Sequence, residues 1–521
     1  MRANRMVVGG LAVLLSAGVS AAQGRGGRGG RGGAPDQQSQ EAEAGRKLPP
    51  PEEKSMVTHH SARIAGQAIN YTATVGTYVI KDDAGDPKAV FFFTAYTKDG
   101  VEDMSKRPVS FSYNGGPGSA SLFVHMGFGP RRVVLTPDGH GMPAPYAIAD
   151  NDDSFLDATD LVFIDAVSTG YSRPAPGENP AQFHGLTEDA NYFADFIYQY
   201  ITRNQRWTSP KLLIGESYGT TRSAELAGVL QHRHEMYLSG IVLVSAVLNF
   251  DTLRFAPGTD LPPIVFLPTY ATTAWYHKLL SPDMQKETIE QVAQQAREFA
   301  NGEYAAALAK GDQLPAGEKQ TIVQQLAHFT GLSPAYIEQT NLRIEASRWF
   351  KELERDKRRT IGRLDSRFTG MDADAAGESN EYDPSEASYE GAFVAAFQNY
   401  VRGELKWESD AYYAVSGPVR PWDENGYNGV AETLRSAMTE ESSLKVLVVC
   451  GYYDVATPFN GIEYTVAHMN LEPAIRKNIG FAYYESGHMV YIDQKAHDKL
   501  HKDIDEFINA SSDRNGASFT R

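Results

Sequence analysis

The sequence predicts an α/β protein with a mostly parallel central sheet, helices on both faces, and a largely helical cap insertion. Three observations carry this reading. Short apolar runs alternate with helix-patterned stretches from about residue 55 to 250. Between about 255 and 435 such runs are missing, and Gln, Ala, Glu and Lys recur with helical spacing. The strand pattern then returns at 444–450 and 479–484. A sheet that is begun, interrupted and resumed describes a core carrying a cap.

The elements follow in order. Residues 89–96 are rich in β-formers, and 109–113 (Val-Ser-Phe-Ser-Tyr) form a second strand that ends in Gly and Pro. Residues 161–165 and 211–215 are short buried strands, and 241–247 is a further one. Helical spacing marks 191–201 and 218–230, and within the insertion 285–308 and 317–329. Residues 370–385 are polar and acidic, which predicts a mobile loop. A helix over roughly 494–509 closes the chain. The organisation is therefore a leader at 1–22, a Gly/Arg/Pro-rich linker at 23–54, a first core segment at 55–254, the cap at 255–438, a second core segment at 439–510 and a flexible tail at 511–521.

Arg2 and Arg5, the apolar stretch 6–19 and the small residues 19–22 read as a secretory signal, so export to a periplasm or beyond is expected. No cysteine follows it to carry a lipid anchor, and no later stretch is apolar enough to span a membrane. Of the 521 residues 42% are hydrophobic, enough for a buried core, which excludes a wholly disordered or fibrous chain. The net charge of −16 argues against nucleic acid as the main partner. Cys450 is the only cysteine, so neither an intramolecular disulfide nor a multi-cysteine metal cluster can form.

The chemistry gathers at three places. Gly215-Glu216-Ser217-Tyr218-Gly219 lies between a buried strand and a helix. Glycines on both sides permit a sharp turn that lifts the Ser217 hydroxyl above the sheet, with the Tyr218 N–H facing a developing oxyanion. A serine alcohol needs a base. Asp454 follows one late strand and His488 the next, in the order Ser, Asp, His. His488 would take the Ser217 proton, and Asp454 would orient the imidazole. Asn114-Gly115-Gly116-Pro117-Gly118 follows an early strand, where consecutive glycines let backbone N–H groups approach a substrate; a plain tight turn is the alternative. Elsewhere His497 and His501 stand four apart on the last helix, which reads as a solvated face rather than a metal site, and His59-His60 has no evident partner. Cys450 reads as an inert core thiol.

These segments, together with Gly487-His488-Met489-Val490, resemble the serine carboxypeptidases of the α/β-hydrolase fold. Residues 161–172, ending Gly-Tyr-Ser, look like another segment of that family. The resemblance implies an exported bacterial serine carboxypeptidase acting through an acyl-enzyme on peptides with a free C-terminus, needing no cofactor or metal. It places Ser217, Asp454 and His488 as the triad and the N–H groups of Gly116 and Tyr218 as the oxyanion hole. Asn114 and Glu216 fall where the family holds the substrate's terminal carboxylate, with Gly115 and Met489 also on the substrate side. Binding one carboxylate with another requires a shared proton, which accounts for the family's tendency toward acidic pH.

The sequence departs from the family in three places. Ser119 stands where a cysteine is usual. A second glutamate, normally paired with the one in Gly-Glu-Ser-Tyr-Gly, is missing, and its place falls near Gly127. Tyr491 replaces the usual proline after Gly-His-Met-Val. His125, Arg131 or Arg132, in the altered segment, could supply compensating positive charge. An esterase or acyltransferase on the same triad is the competing reading, and a non-catalytic binding protein the third. Oligomeric state is not legible.

Overall fold

The computed structural model describes residues 49–513. The expected leader, the Gly/Arg repeat and most of the expected tail lie outside the described residues.

Three long strands open the fold. They are β1 (Ser55–Ile64), β2 (Gln67–Lys81) and β3 (Pro87–Lys98), paired antiparallel in sequence order. No helix separates them, so the strand–helix alternation expected from residue 55 begins only after β3. β1 is mostly exposed, and a half-solvated hairpin carries polar residues that hide it among loops. The six strands that follow are β4 (Val109–Tyr113), β5 (Asp160–Ile164), β6 (Lys211–Glu216), β7 (Gly240–Val244), β8 (Lys445–Gly451) and β9 (Ile479–Tyr484). The ten-stranded sheet runs β1-β2-β3-β5-β4-β6-β7-β8-β9, with the two-residue strand Arg173–Pro174 beside β3. From β5 to β9 every pairing is parallel. Every residue of β4, β5, β6 and β7 is buried, which is why the centres of β5, β6 and β7 read as apolar runs, while β4 buries Ser110 and Ser112 between its apolar residues.

Helices cover both faces. α1 (Leu122–Phe128), α2 (Leu186–Arg203) and α3 (Tyr218–His234) arise between the strands of the first core segment. The insertion begins with α4 (Leu261–Tyr276), α5 (Ile289–Phe299) and α6 (Ala316–Thr330), which share a separate hydrophobic core. The expected helix 285–308 starts later, at a Thr288–Gln291 capping box, and widens to a π-turn at Ala300–Tyr304.

The cap is smaller than 255–438. α7 (Pro384–Gly403) packs on the body: Phe393 meets Phe123 with ring centroids 5.4 Å apart, and Phe397 meets His125 at 5.3 Å. α8 (Ala431–Glu440) buries Leu434, Ala437 and Met438 in the core shared with α3. Helical periodicity shows that such a segment has an apolar face, but not which surface receives it. The expected mobile loop at 370–385 is tied down: Asp372 pairs with the buried Lys351, and Asp383 caps α7. The last helices are α9 (Phe459–Ala467) and α10 (Gln494–Ser512). α10 therefore runs past 510 into the expected tail. The expected linker is docked at its end, where Glu53 accepts the Val79 N–H at 2.9 Å. Among the described residues no helix is long and apolar enough to cross a membrane.

Candidate active site

The site lies at the C-terminal ends of the parallel strands, where loops rather than core side chains face outward. β6 ends at Glu216, and α3 begins at Tyr218. Between them Ser217 has φ 59°, a left-handed conformation that costs a serine strain. The turn is held by the Ser217 N–H, which donates to the Val244 carbonyl at 2.9 Å. It is also crowded. A Cβ on Gly215 would lie 2.2 Å from the Gly219 carbonyl oxygen. Ser217 itself is half-buried.

The glycine loop after β4 meets this turn directly. A Cβ on Gly115 would lie 2.3 Å from the Tyr218 nitrogen and 2.7 Å from the Glu216 oxygen. Only glycine permits that approach, and it brings the Gly115–Gly116 backbone alongside the Tyr218 N–H. Gly116 has φ +105°, outside what other residues readily adopt. Two features fix the loop. Arg222, buried and paired with Asp189 at 2.6 Å, donates to the Asn114 carbonyl at 2.8 Å. Residues 415–419 lace across it, with the Gly417 N–H donating to Gly118 O at 2.7 Å.

His488 and Asp454 are brought together. Nδ1 of His488 lies 2.8 Å from Oδ2 of Asp454, and both side chains are buried. Asp454 is saturated: Oδ1 accepts the N–H groups of Ala456 and Thr457 at 2.9 Å, and Oδ2 accepts the Thr457 hydroxyl at 2.7 Å. Burial disfavours the imidazolium, but the charge and hydrogen bond of Asp454, with help from Glu216, hold His488 above its ordinary value. The His488 loop is anchored to the elbow, because Ser245 Oγ donates to the His488 carbonyl at 2.7 Å, one residue beyond the carbonyl that holds Ser217.

The insertion completes this anchoring through a strap at 363–367. The His488 N–H donates to Leu364 O at 2.7 Å, the Gly487 N–H to Asp365 at 3.1 Å, and the Val455 N–H to Arg363 O at 3.2 Å. The strap thus grips the Asp454 and His488 loops together. Sequence reasoning misses it, since nothing in residues 363–367 signals contact with loops so remote in the chain.

Asn114 and Glu216 also meet. Asn114 Oδ1 accepts the Val124 N–H at 3.1 Å, which turns its amide nitrogen toward Glu216 Oε1 at 2.7 Å. Glu216 is buried, with Oε2 lacking a hydrogen-bond partner other than the Tyr491 hydroxyl it faces. Burial pushes its carboxyl up to about 7, against opposing pulls from His488, Tyr491 and Asn114. Met489, beside His488, is buried and belongs to the hydrophobic core.

The three residues expected to compensate for the missing glutamate all turn elsewhere. His125 is buried, lies 2.6 Å from the Tyr96 hydroxyl, and is pushed down to about 3 by burial, so it carries no charge. Arg131 is paired with Glu404 and Asp150. Arg132 donates to Gln494 and neighbours Asp153. Their nearness to the motif in sequence is lost because α1 carries them away from the loop.

Outside the site, His497 and His501 are buried, not on a solvated face. His501 contacts Asp157 at 3.1 Å and Asp505 at 3.5 Å. His59 and His60 lie on β1, where they find Thr72 and Tyr71. Cys450 is buried, which pushes its thiol up.

The sequence model of the serine carboxypeptidase family matches residues 68–499. No curated protein sequence matches significantly. Among solved structures, Kex1, a prohormone-processing carboxypeptidase from Saccharomyces cerevisiae, aligns with a TM-score of 0.53 and 17% identity over 86% of this chain and 93% of its own, a likeness of fold. A thermostable carboxyl esterase from Bacillus coagulans aligns with a TM-score of 0.34 and 13% identity over 84% of this chain and 98% of its own, too distant to carry an argument.

Proposed function

The chain belongs to the serine carboxypeptidase family of α/β-hydrolases, and from that premise we propose that it releases C-terminal residues from peptides through an acyl-enzyme formed on Ser217. The observation that carries the reading is the buried His488–Asp454 pair, 2.8 Å apart, tethered through Val244 and Ser245 to the strained turn that presents Ser217.

In this reading Asp454 fixes the imidazole tautomer with Nδ1–H toward itself, leaving Nε2 as the base. Nε2 takes the Ser217 proton as Oγ attacks the last peptide carbonyl. The oxyanion is met by the N–H groups of Gly116 and Tyr218, each worth about 10²–10³ in rate. The imidazolium then protonates the leaving amine, and the freed amino acid departs. Water, deprotonated by the same imidazole, attacks the acyl-enzyme and regenerates Ser217. Asn114 and Glu216 receive the terminal carboxylate, Glu216 supplying a shared proton. The apolar start of the chain supports export, which N-terminal sequencing of secreted protein would check.

The test uses purified protein and its Ser217→Ala variant with blocked dipeptides carrying free acids, amides or esters, from pH 4 to 8. Ser217-dependent release of the last residue from the free acids is expected. The absence of a second carboxyl at Gly127 favours an esterase or acyltransferase as the alternative. Cleavage of esters alone would select it.

A further inference from the structure

The departures at Gly127 and Tyr491 are one structural feature. A Cβ on Gly127 would lie 2.4 Å from Tyr491 Cδ2 and 2.7 Å from Cε2. The ring fills the space that any larger residue at 127 would need, so the tyrosine at 491 requires the glycine at 127. The ring is buried and packs edge-on against Phe128, centroids 4.9 Å apart. Its hydroxyl lies against Glu216 and Asn114, and the Glu216 carboxyl is the acceptor it faces. Glu216 Oε2 is buried and otherwise unpartnered, while Oε1 is held by Asn114. The phenol and the carboxylate oxygen thus face each other with no other hydrogen-bond partner, a buried polar pair beside Asn114 that a third polar group can join.

We propose that Tyr491 is a specificity-determining residue whose hydroxyl donates to the C-terminal carboxylate of the bound peptide, beside Glu216, so that a neutral donor stands where the family has a second acid. The proposal rests on the carboxypeptidase reading above. Its chemistry differs from that of a paired-acid site. A second carboxyl donates only when protonated, and it adds negative charge to a pocket that must accept an anion. A phenol donates at every pH below its own ionisation, and burial pushes the Tyr491 hydroxyl well up. Only the proton on Glu216 remains at stake. The groups facing Glu216 are Asn114 after β4, Asp454 after β8, His488 and Tyr491 after β9, and Tyr389 on α7. With the Glu216 carboxyl pushed up to about 7, recognition of free acids extends toward neutral pH.

The test is Tyr491→Phe, which keeps the ring and removes only the hydroxyl. KM and kcat are measured on blocked dipeptides with free C-termini and on their methyl esters, for wild type and variant. The expected result is a rise in KM for the free acids of about ten- to a hundredfold, as for a lost hydrogen bond to a charged group, with a much smaller change for the esters. Ester turnover also reports that the variant is folded. Gly127→Ala, which displaces the ring without touching the hydroxyl, should raise KM for the free acids in the same selective way. Equal losses on acids and esters, or an unchanged KM for the acids, overturn the proposal while leaving the carboxypeptidase reading in place. A wild-type enzyme that cleaves esters but no free acid overturns both.

Discussion

The loop around Asp454 and the cluster around Glu216 are neighbours but treat a buried carboxylate in opposite ways. Asp454 is fully enclosed, and hydrogen bonds from Ala456, Thr457 and His488 reach both of its oxygens. Glu216 has one oxygen on Asn114 and the other facing only the Tyr491 hydroxyl. A saturated carboxylate is a fixed charge that can hold an imidazole in place. A half-satisfied one pays a desolvation cost that a proton or a ligand can relieve. The difference separates a group that serves the chemistry from one suited to recognising substrate.

Substitutions at the saturated side should produce the largest effects. Asp454→Asn keeps the shape but offers His488 the wrong partner, so kcat should fall by about 10⁴ on free acids and esters alike, measured under saturating substrate. A loss confined to free acids would erase the distinction between the two carboxylates. Next is the loop that brings them together. Gly115→Ala places a methyl 2.3 Å from the Tyr218 nitrogen, and the backbone must move to admit it. One of the proposed oxyanion donors then leaves its place, and kcat should drop by about 10²–10³ with little selectivity between substrates. The substrate profile is the informative part, since displacement of Asn114 instead would raise KM for free acids only.

How much of this was legible depends on whether a feature is local. β6 and β8 announce themselves because strands buried on both faces carry apolar runs, and the elbow announces itself through glycines that a sharp strand-to-helix turn demands. β1 and β2 escape notice because half-exposed strands mix polar and apolar residues. α7 is mistaken for cap because its periodicity is the same whether its apolar face meets Phe123 on the body or another cap helix. Within the site, Tyr491 reads from the sequence as a lost proline and Gly127 as a lost glutamate. Their complementarity is invisible until the fold places the ring on the glycine. Arg131 and Arg132 show the converse, close to the motif in sequence and paired elsewhere in space.

The comparison also predicts opposite effects on stability. The Glu216 carboxyl sits at about 7 in the fold against an ordinary value of 4.5. Because the folded value is raised, the fold favours the protonated form. Stability falls as pH rises from the unfolded value through the folded one, and the full penalty of about 3 kcal/mol applies above both. Glu216→Gln should therefore be more stable than wild type at pH 8.5 by up to that amount and gain little at pH 4, as read by urea denaturation. Asp454→Asn should destabilise at both pH values. A destabilised Glu216→Gln at pH 8.5 would mean that its second oxygen is satisfied after all.

The smallest effect is the most discriminating, because it separates two protons on neighbouring groups. In the proposed mechanism catalysis needs His488 neutral, and binding a free acid needs Glu216 protonated. Each group's charge also favours ionisation of the other. The productive form and its proton-swapped counterpart carry the same number of protons, so pH alone cannot select between them. Free-acid substrates should show a bell-shaped kcat/KM, with KM rising about tenfold per pH unit on the alkaline side as Glu216 ionises. Esters have no carboxylate to bind and should show only the acid limb of His488. In Glu216→Gln the bell for free acids should open into that same single limb. The limb should also move to lower pH by a few tenths of a unit, because a negative neighbour of His488 is gone. An ester profile unmoved by Glu216→Gln would show that the two groups do not sense each other, and would make them two independent sites.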